Sequence, residues 1–138
     1  MRDALFQCGC GDGQNLFGQV VVVDRPGHGD RADEQADGVH MMSAETGEPE
    51  RAQWIANLDE VAALDPAFVV AGHKKVENDN DPKIIAESQQ YLRDFSRIAA
   101  GETTTAGIVA RMVDLYPGWE NLRTLWHSAR TAIARKNG

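Results

Sequence analysis

The chain lacks most of the features that make a function legible from sequence. In 138 residues it has only two cysteines, Cys8 and Cys10, one residue apart. That spacing rarely gives a relaxed disulfide. A zinc site would need four ligands, and no second cysteine pair exists. Free thiols are the default reading, and two thiolates on a soft metal the alternative. No apolar run approaches the ~20 residues that span a bilayer. Met1-Arg2-Asp3-Ala4-Leu5-Phe6 has one base and no long apolar stretch, so no signal peptide is expected and a cytoplasmic location is. Basic residues are the minority, 14 against 21 acids, for a formal charge of -7. This argues against nucleic acid or an anionic membrane as the main partner. The G-x-S-x-G elbow and the Walker A loop are both absent.

What is present suits one domain with a real core, since 42% of the residues are hydrophobic. Residues 1–15 carry Gly9, Gly11 and Gly13 among polar neighbours and read as loop or disorder. Val20-Val21-Val22-Val23 reads as a buried strand within 16–24. Arg25 to Asp37 is polar, with Pro26, Gly27 and Gly29, and reads as loop. A helix is expected over 48–64, with Pro49 in its first turn and Trp54, Leu58 and Val61 as its core stripe. Asp65-Pro66 should end it. A strand over 67–71 follows.

Asp81 should cap the next helix, expected over 82–100. Ile84, Ser88, Tyr91, Phe95 and Ile98 lie on one face of it, beside Ile85, Leu92 and Ala99. A shorter helix over 103–115 uses Ile108, Met112 and Leu115. Tyr116-Pro117-Gly118 breaks it. A last helix over 121–135 turns Leu122, Leu125, Trp126, Ala129 and Ile133 inward.

The most informative stretch is Phe68-Val69-Val70-Ala71-Gly72-His73. A β-branched apolar run stops at a glycine and delivers an imidazole at its end. A ring at the mouth of a strand is well placed to bind a metal or move a proton. A loop histidine without a task is the alternative on spacing alone. The acids of 77–81 do not fit an EF-hand loop, which needs a glycine at its sixth position and a late glutamate. A Cys8 or Cys10 nucleophile with His73 as base has nothing that joins the two in space.

Several ordered segments carry a resemblance. They are Asp37-Gly38-Val39-His40-Met41, Ala44-Glu45-Thr46, Trp54-Ile55-Ala56-Asn57-Leu58-Asp59 and the stretch from Asp65 to Phe95. Met112, Tyr116-Pro117 and Leu125-Trp126-His127-Ser128-Ala129-Arg130 continue it. Across about residues 32–131 the chain resembles the C-terminal half of metallo-β-lactamase-fold hydrolases. The resemblance implies an α/β fold, the C-terminal β/α half of an αββα sandwich with extra C-terminal helices. Residues 1–31 would be a poorly matching segment with one strand.

The resemblance further implies that His73 is a metal ligand, that Asp33 is the bridging carboxylate, and that His40 faces substrate. Cys10 would stand where the family carries a middle histidine ligand. His127 would have a surface or packing role. Zinc, or another divalent metal, would activate a water against an ester, thioester or amide-type bond of a small-molecule substrate.

The superfamily's first metal motif, His-x-His-x-Asp-His, is absent. The four histidines are His28, His40, His73 and His127. The nearest echo, Gly27-His28-Gly29-Asp30, lies too close to Asp37-Gly38-Val39-His40 to serve. The expectation is therefore a partial hydrolase, weak or inactive alone. Its exposed sheet edge and apolar face would favour a homo-oligomer or a complementing N-terminal half. The other reading is a non-catalytic helical interaction module derived from that fold.

Overall fold

A computed structural model describes residues 4–7, 19–23, 38–41, 43–71, 75, 77 and 79–138. Four helices build its body: α1 (Glu48–Ala63), α2 (Lys83–Gly101), α3 (Thr105–Leu115) and α4 (Leu122–Asn137). Three short strands, β1 (Ala4–Gln7), β2 (Gln19–Val23) and β3 (Phe68–Ala71), pair in sequential antiparallel order at its edge. Val21 is opposite Leu5 on one side and Val70 on the other.

The expected α/β class, a partial αββα sandwich, is corrected. The described body is a four-helix arrangement, and no sheet runs between its helices. α1 packs on α2, α2 on α3, and α3 on α4. The apolar faces of the helices satisfy one another. Of the strands, β3 reaches the core through Val69, and the helices otherwise pack on one another. β1 also falls where a loop was expected. Its residues Ala4, Leu5 and Phe6 gain a ladder from β2, which local glycine content does not reveal.

The helices form where pattern and capping place them. The Glu50 carboxylate accepts from the Gly47 backbone N–H at 2.8 Å, closing the start of α1. Asp65 ends that region at φ 49, pushed out of the helical basin by Pro66. Asp81 accepts from the Lys83 N–H at 2.8 Å, the capping bond expected at the start of α2. The Thr104 hydroxyl accepts from the Gly107 N–H and caps α3. At the far end of α2, the Lys136 ammonium donates to the carbonyls of Ala99, Ala100 and Glu102. It neutralises the negative end of that helix.

Two apolar clusters result. The first joins Trp54, Leu58 and Val61 of α1 to Val69 of β3 and to Ile84, Ile85 and Leu92 of α2. The second joins Tyr91, Phe95, Ile98 and Ala99 of α2 to Ile108 and Met112 of α3 and Leu125 and Ala129 of α4. Three expected core residues prove exposed: Leu115, Leu122 and Trp126. The buried stripe of α4 runs through Thr124, Leu125, Ser128 and Ala129, so Leu122 and Trp126 fall to one side of it. No described helix is long and apolar enough to cross a membrane.

Candidate functional site

Most of the buried polar side chains among the described residues (His40, Ser43, Thr46, Arg51 and Ser128) gather where residues 38–41 and 43–46 pack on α1, α2 and α4, while Gln89 lies apart between α2 and α1. Residues 38–41 and 43–46 are irregular, and long-range bonds hold them. The His40 N–H donates to the Glu120 carbonyl at 3.0 Å, and the Glu120 N–H donates back to the Gly38 carbonyl at 2.6 Å. Gly38 sits at φ +60, and a Cβ there would lie 2.6 Å from the Lys75 Cε. The positive φ favours glycine, while the flexible Lys75 side chain can shift aside. The Lys75 ammonium reaches the Gly118 carbonyl at 3.1 Å. Further along, the Ser43 N–H donates to the Ser128 hydroxyl at 3.0 Å. The buried Arg51 guanidinium donates to the Thr46 carbonyl and the Ser96 hydroxyl, and it lies over the Phe95 ring.

His40 is the centre of this arrangement and is only 1% exposed. Its Nδ1 lies 3.1 Å from the Tyr91 hydroxyl. With the phenol as donor, Nδ1 accepts and the imidazole proton sits on Nε2, the tautomer we assign to this pair. Nε2 and the Ser43 hydroxyl have no hydrogen-bond partner among the described residues. The Tyr91 and Trp119 rings flank the imidazole at 5.9 and 5.8 Å. Tyr91 and Trp119 are nearly parallel, and Tyr116 tilts against both.

Burial without a compensating charge pushes His40 down to about 4. Burial likewise raises Tyr91 and Tyr116 well above the ordinary phenol value, and for Tyr116 the neighbouring Asp94 carboxylate adds to it. The Tyr116 hydroxyl donates to Asp94 at 2.8 Å. Burial acts to raise the Asp94 carboxyl, but hydrogen bonds from Arg97, Gln90 and Tyr116 outweigh it and hold the group below its usual value. The cluster thus presents a neutral imidazole, two neutral phenols and one carboxylate.

Of the residues expected to act, His40 is placed inside this box, against aromatic rings. His73 and Asp33 lie outside the described residues, as do Cys8, Cys10 and His28. His127 is exposed on α4, as expected. No group of three or more histidine, cysteine, aspartate or glutamate side chains among the described residues could hold a metal ion. His40 has one ring nitrogen engaged by Tyr91, and no carboxylate hydrogen-bonds to the ring. The described residues do not fit a zinc centre.

Sequence reading missed Trp119, Asp94 and Arg51. A signal existed for the first. Tyr116 and Trp119 flank Pro117-Gly118 in a turn, an unusual place for two large rings in a chain with 7% aromatics.

No protein-family model, curated protein or solved structure matches this chain.

Proposed function

We propose that this chain contributes a late ligand to a metal-dependent hydrolase related to the metallo-β-lactamase superfamily. Its substrate would be a small molecule with an ester, thioester or amide-type bond. One observation carries the reading: β3 forms over Phe68–Ala71, with Val69 buried in the first cluster, and the chain passes from it directly into Gly72-His73. A strand anchored in a core is a rigid base for a ligand at its end. His73 is the proposed ligand, Asp33 its companion and zinc the ion. The resemblance of residues 32–131 supports this; the fold does not.

No group of three or more possible ligands lies among the described residues. In this reading a second copy or a complementing N-terminal half completes the centre. His40 would meet substrate only with residues 38–41 and 43–46 lifted.

The test is zinc calorimetry with metal analysis on this chain and on His73→Ala. Stoichiometric zinc that the substitution removes supports the reading. A folded protein that takes up no zinc overturns it for this chain. The second reading, a non-catalytic helical interaction module, would then stand. Leu122 and Trp126 favour it, exposed one turn apart on α4 with Leu115 exposed at the end of α3.

A further inference from the structure

We propose that residues 38–41 and 43–46 belong to an acid-released strap. Uptake of a proton by His40 lifts these residues from α2, α4 and the turn ahead of α4 while α2 and α4 stay folded.

The geometry argues for a local release. The strap has no regular structure of its own. It is held by the backbone pair with Glu120, by the bond from Ser43 to Ser128, by Arg51 at Thr46 and by the seat of His40 against Tyr91. The helices depend on none of these for their own ladders. A neutral His40 suits its seat, because Nδ1 accepts from Tyr91. A doubly protonated ring does not. Its Nδ1–H would face a phenol O–H that has to turn away, and its Nε2–H would still find no acceptor among the described residues. A buried cation with unsatisfied donors is strongly disfavoured, and water is the nearest remedy.

Among the described residues, neighbouring charges do not rescue it. α2 offers neutral Tyr91, and its Asp94 is engaged with Tyr116, Gln90 and Arg97. The α3–α4 turn offers Tyr116, Trp119 and the Glu120 backbone. The Glu120 carboxylate is largely exposed and lies beside Lys75, itself a cation. α1 contributes a second cation, Arg51. α4 contributes Ser128 and keeps His127 and Arg130 at the surface. Glu45, on the strap itself, is exposed.

The sign follows from the downward shift of His40, from 6.5 to about 4. Neutral His40 supports the closed strap fully above pH 6.5, and that support is lost as pH falls towards 4. Between neutral pH and pH 5 the closed state should lose about thirtyfold against the open one. Hydrogen exchange at pH 7.5 and pH 5, corrected for intrinsic rates, reads this directly. Protection of the His40, Ser43 and Thr46 amides should fall about thirtyfold, while Leu92 and Phe95 of α2 keep theirs. In His40→Gln, which can accept from Tyr91 but cannot gain a proton, the strap should hold at pH 5.

Three results would overturn the proposal. The strap could keep its protection at pH 5. The strap and α2 could lose protection together. A folded His40→Gln could behave as the parent does. If His40→Gln does not fold, the parent's strap-against-α2 reading still decides.

Discussion

The two apolar clusters share helix α2 but are built differently. The first, against α1 and β3, is almost wholly aliphatic around Trp54. The second, against α3 and α4, takes in Tyr91 and Phe95 and borders Tyr116 and Trp119. Buried polar side chains gather at the second: His40 on Tyr91 and Arg51 over Phe95. Beside the first lies one buried polar side chain, Gln89, and its amide is satisfied by the Ile55 carbonyl and the Asp59 carboxylate of α1. The second must also satisfy donors and acceptors, and His40 Nε2 and the Ser43 hydroxyl are left without partners among the described residues. Aliphatic packing makes a cluster tolerant. Polar burial makes one conditional on pH and on the pose of a single segment.

The sharpest way to break this contrast is to cut each cluster once and compare unfolding in urea. Phe95→Ala should cost about 3–5 kcal/mol, since it opens a cavity under a fully buried ring. Leu58→Ala in the first cluster should cost about 2–4 kcal/mol. The two should differ in kind as well as size, because Phe95→Ala also strips the ring from beneath Arg51. Equal losses with an undisturbed Arg51 would erase the distinction.

A smaller effect is expected at the rim of the aromatic box. Tyr116→Phe removes the hydrogen bond to Asp94 but keeps the ring, so about 1 kcal/mol should be lost. The Asp94 carboxyl should titrate higher in that variant, because one of the bonds holding it down is gone. NMR titration of Asp94 would read this, and an unchanged titration would mean that Arg97 and Gln90 suffice. The smallest effect is expected at Lys136→Met. It leaves the last carbonyls of α2 to water and should cost about 0.5–1 kcal/mol, shrinking as salt is added.

Much of the helical framework could be read before any coordinates. α1 and α2 fall within a residue or two of their expected limits, because Trp54-Leu58-Val61 and the Ile84-to-Ile98 face recur at helical spacing. The strand before Gly72 could be read from its β-branched run. Misjudged were the burial of Leu115, Leu122 and Trp126, and the layer architecture. A helical wheel names an apolar arc but not which part of it a neighbour covers. On α4 the neighbours chose the arc through Leu125 and Ala129. The candidate site was less legible. His40 could be singled out, but Tyr91, its hydrogen-bond partner, is 51 positions away, and Trp119 joins from a turn.

Local chemistry was therefore enough for helix extents and the strand ahead of His73, because those depend on neighbours within a turn or two of the chain. It could not say whether His40 would meet solvent, a ligand or a ring. That was settled by packing, which set His40 and its neighbours against α2, α4 and the turn ahead of α4 and closed aromatic side chains around the imidazole. Burial is a property of the whole assembly, and here it pushes the His40 imidazole down to about 4 while the segment stays closed.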